Sequence, residues 1–511
     1  MPQPATHPLL STRRAGVLMH ITSLPSPFGA GDIGPAAYQF VDWLADAGIS
    51  VWQMLPIGPV GFGDSPYSSP SSFAIEPTLL SLDLLVEQGL LEKSDLKVPA
   101  KDAKRLGSGD CDFAGNRGFR LQCCAKAAAA FASKNNGRAK GLKQFTERTA
   151  HWLPAWLDFV SAGNAAARQM HAWIQFELDR QWAALRGYCA KKGVALVGDV
   201  PIFVTADSAD VRAHPELFRL KADGTPEVLT GVPPDGFSAD GQLWGHPHYA
   251  WDAHIKQKFS WWTSRITCAS ERFDLVRIDH FIGFTRAYEV AAGSKNARKG
   301  VWRPAPGRAL LTAMAKSFPS LPLIAEDLGA VTPEVEALRD DFGLAGMRIV
   351  QNAFWSGKSG DMPHNHPFRA VVFSGTHDNE TAAQWWQGRD AAQKARFKAY
   401  AGEGAVHEAM ARIVMASPAA LAVLPMQDIL GLGKAGRMNL PGTATGNWAW
   451  RMEPGRRTRR SRRKSAHLST QLAAADRLSL REWPRRKSAS SPLRANRAPC
   501  NRACNRPCNR A

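Results

Sequence analysis

The chain has 511 residues, enough for about three average domains or for one large barrel carrying insertions. Apolar residues make up 44% and charged residues 21%, an ordinary balance that excludes wholesale disorder. The net charge of +19 resembles that of a nucleic-acid binder, but residues 455–511 hold 17 Lys and Arg against 2 Asp and Glu, so the basicity belongs to a tail.

Eight short apolar runs punctuate the body: Gly16–His20, Val51–Leu55, Val194–Val200, Phe273–Ile278, Leu321–Ala325, Met347–Val350, Ala370–Phe373 and Leu421–Leu424. Each is four to seven residues long and mostly continuous rather than alternating, as expected of strands covered on both faces. Helical patterns follow several of them, among them Ala36–Ala47, Pro333–Asp341 and Thr381–Tyr400. Eight buried strands alternating with helices predict an α/β fold, a (β/α)8 TIM barrel spanning residues 1–454. Buried helix turns are the competing reading of such runs.

Two gaps are too long for a bare barrel. About 140 residues separate the second and third runs, where helical patterns (Ala125–Ala132, Gln169–Lys191) predict a subdomain inserted at about 60–170. About 70 separate the third and fourth, including the Gly/Pro/Asp-rich stretch Gly231–Gly245, which predicts an ordered loop over a site at about 229–250.

From Gly455 the chain is rich in Arg, Ser, Ala and Pro and ends in the repeat Cys500-Asn-Arg-Ala, Cys504-Asn-Arg-Pro, Cys508-Asn-Arg-Ala. Such a composition cannot bury enough apolar surface to order itself, so the expectation is a disordered basic tail. An RNA-binding arm is the alternative, and one Cys at every fourth residue is poor zinc spacing. The other five cysteines (Cys111, Cys123, Cys124, Cys189, Cys268) are scattered, which reads as a reducing cytoplasm rather than a disulfide framework. No run of 18 apolar residues predicts a membrane span, and Arg13-Arg14 precedes too short an apolar run for an export signal.

In such a barrel the chemistry lies at the C-terminal ends of the strands. Those ends carry Asp199, Asp279-His280, Glu326-Asp327 and His377-Asp378. One such carboxylate is often only a helix cap; four on one rim suit glycosyl transfer, in which one carboxylate attacks the anomeric carbon and a second acid protonates the leaving oxygen. Metal binding is the competing use, but no His-x-His or His-Glu-x-x-His spacing occurs. Arg277 and Asp279 lie two apart on one strand and so face the same way, and a guanidinium there favours an ionised carboxylate. Seventeen tryptophans against six tyrosines suit stacking on sugar rings, with Trp244, Trp302, Trp385, Trp386, Trp448 and Trp450 as candidates beside the null of core packing.

Seven segments, in order, resemble one family: His20-Ile-Thr-Ser-Leu-Pro-Ser-Pro-Phe-Gly29, Gly63-Asp-Ser-Pro-Tyr-Ser68, Gly198-Asp-Val-Pro-Ile-Phe203, Val276-Arg-Ile-Asp-His-Phe281, Ile324-Ala-Glu-Asp-Leu-Gly329, Gly375-Thr-His-Asp-Asn-Glu380 and Arg437-Met-Asn-Leu-Pro-Gly442. The body, from about Arg14 to Glu453, is similar to the 4-α-glucanotransferases of glycoside hydrolase family 77, also called amylomaltases or disproportionating enzymes. The resemblance implies a retaining transfer of glucan segments between maltooligosaccharides, with no metal or organic cofactor. It implies Asp279 as nucleophile, Glu326 as general acid/base and Asp378 as the third acid, which holds sugar hydroxyls and stabilises the transition state. It places Asp199, Arg277, His280 and His377 around the cleaving subsite, and Tyr67, Trp244 and Asn447 against donor or acceptor sugars.

Two departures stand out. Gly236 replaces a bulkier residue, frequently Tyr, which implies weaker remote-subsite binding and a larger hydrolytic share. The family pattern stops near Glu453-Pro454, where a final amphipathic helix is expected; a frameshift near codon 454 would account for that, and the coding DNA decides it. The remaining alternatives are a retaining α-glucan hydrolase, a glucan-binding protein impaired in catalysis, and a nucleic-acid binder acting through the tail.

Overall fold

The computed structural model describes residues 6–133, 138–235, 238–354 and 360–453. The expectations for the tail (disorder, RNA or zinc binding, a frameshift) and for Gly236 lie outside the described residues.

Eight parallel strands form the expected barrel: β1 (Arg14–Leu18), β2 (Val51–Gln53), β3 (Ala195–Pro201), β4 (Leu275–Asp279), β5 (Leu323–Ala325), β6 (Gly346–Ile349), β7 (Ala370–Phe373) and β8 (Leu421–Pro425). They are ordered β6-β7-β8-β1-β2-β3-β4-β5 in one sheet. A parallel bridge between Ile324 and Ala345, with the Ala325 N–H donating to the Ala345 carbonyl at 2.9 Å, joins β5 to β6 and closes the ring.

Both faces of these strands are apolar because both are covered. Leu18, Val51, Val197, Leu275, Ile324, Met347, Ile349, Val371, Phe373, Leu421 and Val423 pack inside the barrel. Their chain neighbours point out, into one helical layer around β1–β5 (Val17, Trp52, Leu196, Val276, Leu323) and another around β7–β8 (Val372, Ala422, Leu424). Each fully buried aliphatic side chain contributes about 1.5–3 kcal/mol over its exposed state. Gly198 marks a close approach: a Cβ there would sit 2.3 Å from the Phe273 ring, which lies on the outer face of β3.

Between β2 and β3 the chain forms helices Leu82–Glu87, Ala100–Gly107, Phe113–Ser133, Arg138–Arg148 and Leu153–Ser161, followed by the long helix Ala165–Lys191. Two glutamines of that long helix act as surrogate strand partners. The Gln175 amide bonds both backbone groups of Ile75 (3.0 and 2.7 Å), and Gln181 does the same for Ser81 (2.9 and 3.3 Å). Fully buried Arg120 reaches the other way, donating to the Leu80 carbonyl at 2.7 Å and pairing with Asp32 in the loop after β1.

Three expectations are corrected in detail. Gly231–Gly245 is not simply a loop: Val228–Val232 and Gln242–Pro247 are antiparallel strands of a second four-stranded sheet, completed by Arg286–Ala291 and Val301–Pro304. Leu229 and Leu243 pack there on Tyr288, Val290 and Ala297, so turn-forming residues dominate the composition without preventing a small core. The helix expected over Thr381–Tyr400 is two, Ala382–Gln387 and Ala391–Ala401, because Asp390 opens the second with a capping box to Gln393. Met19 and His20 leave the first strand for a 3-10 turn at Ile21–Ser23. No described helix is long and apolar enough to cross a membrane.

Candidate active site

Alternation along the strands builds the site. Two residues beyond the last inward apolar side chain, the same register reaches His20 after β1, Gln53 on β2, Asp199 on β3, Arg277 on β4, Glu326 after β5 and Gln351 after β6. A ring of polar side chains therefore caps an apolar barrel interior at its C-terminal mouth. Loops supply the rest: Tyr67 from the insertion, His280 just past β4, His377 and Asp378 past β7, and Trp448 from the segment after β8.

The positive charge at the centre is the buried Arg277 guanidinium. Its Nη1 donates to both oxygens of Asp199 (3.0 and 2.8 Å) and pairs with Asp279 Oδ1 at 3.0 Å. Asp199 also accepts the Tyr67 hydroxyl at 2.8 Å. Burial pushes the Asp199 carboxyl above its ordinary range, Arg277 pulls it down, and the Asp279 charge pushes it up again. Asp279 itself is partly exposed, open towards the mouth.

Glu326 is held from the β4 side. Its N–H donates to the Ile278 carbonyl at 3.1 Å, and its Oε2 accepts the His280 N–H at 2.6 Å. For that, His280 takes a left-handed backbone (φ 52°), a cost a non-glycine residue bears where surrounding structure imposes it. Burial pushes the Glu326 carboxyl up to about 8; Arg277 opposes this and the nearby Asp279 adds to it. The next residue anchors the strand end: Asp327 accepts the Met347 N–H at 2.6 Å and pairs with Arg339. Its carboxylate fills the space a Cβ would need at Gly346, 2.3 Å away.

Asp378 stands on the opposite flank. Asn439 Nδ2 donates to its Oδ1 at 2.6 Å, Arg437 Nη2 donates to its backbone carbonyl at 3.0 Å, and His377 Nε2 lies 3.4 Å from its Oδ2. Three imidazoles line the mouth in their neutral forms: burial lowers His20 to about 3, His280 to about 4, and His377 below its ordinary value. His20 Nδ1 and His280 Nε2 are buried with no hydrogen-bond partner among the described residues.

Of the ten site residues expected from the sequence, nine gather here. Tyr67 stacks on His377 (centroids 5.1 Å apart, 17°), with Trp448 at 5.5 Å, and Trp244 meets the His280 ring edge-on at 4.8 Å. Asn447 differs: its Oδ1 accepts the Leu440 N–H and its Nδ2 donates to Thr443, so its amide is committed to its own loop. Among the other tryptophans, Trp450 lines the same cleft as His20, whereas Trp385 and Trp386 pack in the outer layer and Trp302 lies under Arg286 in the small sheet. Gln53, Gln351 and Asn439 were not singled out by sequence reasoning. Strand parity would have found Gln53 and Gln351, but Asn439 carries no local signal of its contact with Asp378.

A family model described as 4-alpha-glucanotransferase, glycoside hydrolase family 77, matches residues 19–166 and 159–458. A 4-alpha-glucanotransferase of Synechocystis sp. is 41% identical over 485 residues, covering 87% of this chain and 95% of the relative. One from Thermus thermophilus is 40% identical over 484 residues, with the same coverage. The solved amylomaltase from Streptococcus agalactiae in complex with acarbose superposes with a TM-score of 0.85 at 34% identity, covering 91% of this chain and 99% of that one. Matched over most of its length by that family model and by relatives about 40% identical, the chain belongs to the 4-alpha-glucanotransferases of glycoside hydrolase family 77.

Proposed function

We propose that this chain moves a glucan segment from a donor maltooligosaccharide to an acceptor glucose or glucan, with retention, through a covalent glucosyl-Asp279 intermediate. The observation that carries the reading is the pairing of opposites at the mouth. Asp279 Oδ1 lies 3.0 Å from the Arg277 guanidinium, while burial keeps Glu326 protonated at neutral pH. The His280 N–H occupies Glu326 Oε2, which leaves Oε1 to carry the proton. Glu326 gives that proton to the glycosidic oxygen as Asp279 attacks the anomeric carbon and the bond to the leaving sugar breaks. An acceptor hydroxyl then attacks the same carbon, returns its proton to Glu326 and releases Asp279. Asp378 and the neutral histidines hold the sugar hydroxyls, Asp378 doing so most strongly in the transition state, and Asp199 holds Arg277 and Tyr67 in place. Tyr67, Trp244 and Trp448 offer flat faces to the sugars on either side.

The glucan substrate class follows the relatives, which are named for it, and the five body cysteines, all free thiols, favour the cytoplasm. Incubating the 511-residue chain with maltotriose tests the reading. Glucose, maltose and oligomers longer than maltotriose identify the transferase; products that are only shorter identify a hydrolase. Folded protein that binds maltotriose and yields nothing identifies an impaired glucan-binding protein.

A further inference from the structure

The segment that presents His377 and Asp378 leaves β7 at Ser374 and ends where helix Ala382–Gln387 begins. Both of its ends converge on one side chain. Asp428, in the short helix Met426–Ile429 just past β8, accepts the Ser374 hydroxyl on Oδ2 at 2.6 Å and the Ala382 N–H on Oδ1 at 2.7 Å. These partners are 54 and 46 positions away in the chain. The carboxylate is 4% exposed, and burial pushes it up to about 6, with only these two donors opposing. A buried acid held this way is costly unless its hydrogen bonds are kept.

The segment needs such a hold. On one side it borders the narrow cleft that His20 and Trp450 also line, through His377, Asn379, Glu380, Thr381, Asp428 and Arg437. Close packing on that side is therefore incomplete, and hydrogen bonds help set its height. Asn379 Oδ1 closes the tight turn by accepting the Thr376 N–H; Gln351 ties Ser374 to Glu380, its N–H donating to the Ser374 carbonyl at 3.2 Å and its Nε2 to the Glu380 carbonyl at 2.7 Å; and Asp428 ties Ser374 to Ala382. The chain that continues from Asp428 supplies Arg437 and Asn439, the two groups that grip Asp378 itself.

We propose that Asp428 is a positioning residue for the transfer reaction: its carboxylate staples the two ends of the 374–382 segment and so fixes where Asp378 stands over the sugar. This rests on Asp378 taking part in catalysis, as read above. Misplacing a group that acts mainly in the transition state lowers kcat and leaves KM nearly unchanged, by about 100-fold for a displacement near 1 Å. That is the expectation for Asp428→Ala on maltotriose, with kcat taken per folded molecule. Asp428→Asn keeps an acceptor for the Ala382 N–H and a partner for the Ser374 hydroxyl, and restores most of the rate.

A double-mutant cycle with Asn439→Ala separates positioning from general weakening. If Asp428 works through Asp378, the double variant is no worse than the poorer single one; losses that multiply overturn the proposal. Equal loss in Asp428→Asn and Asp428→Ala also overturns it. Should Asp428→Ala fail to fold, Ser374→Ala cuts one arm of the staple and is read by the same criteria. Asp378→Asn is the control: full activity there removes Asp378 from the mechanism and the staple with it. An inactive Asp378→Asn beside a fully active Asp428→Ala overturns the staple alone.

Discussion

Across β3, β4 and β5 the reactive groups are carried by hydrogen-bonded neighbours, and the ladder itself sets their spacing: Asp199 and Arg277 are direct partners in the β3–β4 register. Across the mouth, Asp378 rides on a loop whose position depends on side chains 46 to 61 residues further along the chain. The first flank is rigid because backbone pairing is repetitive and cooperative. The second is only as firm as a few side-chain hydrogen bonds, each worth about 0.5–1.5 kcal/mol net. On the proposed function, the difference places the bond-making groups on the flank that cannot shift and the acid that holds sugar hydroxyls on the flank that can be tuned.

Removing the nucleophile tests the rigid flank hardest. Asp279→Ala is expected to lower transfer by about 10⁴-fold or more, since the covalent route is lost. Stability should not fall with it: Arg277 keeps its two bonds to Asp199, and one carboxylate of a crowded cluster is gone. A melting temperature that drops markedly would show that Asp279 helps hold the β4 end, contrary to the ladder account.

Glu326→Gln follows, at about 10³-fold on maltotriose, the ordinary range for loss of a general acid. Because burial raises this carboxyl to about 8, kcat/KM in the wild type should hold through neutral pH and fall as pH rises past about 8. The same shift bears on stability. A carboxyl whose folded pKa exceeds its unfolded one stabilises fully below the unfolded value, and that contribution is lost as pH rises through the folded one. The Gln variant should therefore lose the alkaline limb of activity and the part of the melting-temperature decline that falls between about pH 4.5 and about pH 8. A wild-type profile flat to pH 9 would contradict the burial of Glu326.

Arg277→Lys probes the shared cation. The guanidinium serves two carboxylates from one strand, and a shorter ammonium stem does not span both. A loss of about 10²-fold is expected, the scale for one preorganised donor. If Asp199→Asn restores activity to Arg277→Lys, competition for the cation is the cause; if not, its geometry is.

How far the sequence could be read follows the same division. All eight barrel runs match strands to within two residues at each end, because a buried parallel strand announces itself by continuous apolar residues. Val51–Leu55 ran two residues past β2, since Met54 and Leu55 are buried outside the ladder. The acids on β3–β5 were legible as the polar residues that end those runs. The clamps on Asp378 were not: Asp428 reads as an ordinary acid in a short apolar context, and nothing near it in sequence points to Ser374 or Ala382. The small antiparallel sheet was hidden similarly, because its central pairing joins residues some 60 positions apart and its turns carry the visible Gly/Pro signal.

The smallest effect bears on the flexible flank. The resemblance places Asn447 against a sugar, yet its amide makes three bonds inside its own loop, to Leu440 N and to the carbonyl and hydroxyl of Thr443. That loop precedes Trp448, whose backbone is left-handed (φ 65°) and whose N–H donates to the Met438 carbonyl at 2.7 Å. On the proposed function, Asn447 would act on the substrate only indirectly, by setting the Trp448 ring beside Tyr67 and His377. Asn447→Ala should raise KM for maltotriose by about three- to tenfold, the loss of one or two partly exposed hydrogen bonds, and leave kcat nearly intact. Thr443→Ala decides between the two roles, since Thr443 is exposed and its hydroxyl meets Asn447 in the loop. If it raises KM in the same direction, Asn447 works through the loop; a silent Thr443→Ala beside a large Asn447→Ala effect would return Asn447 to direct contact with the sugar.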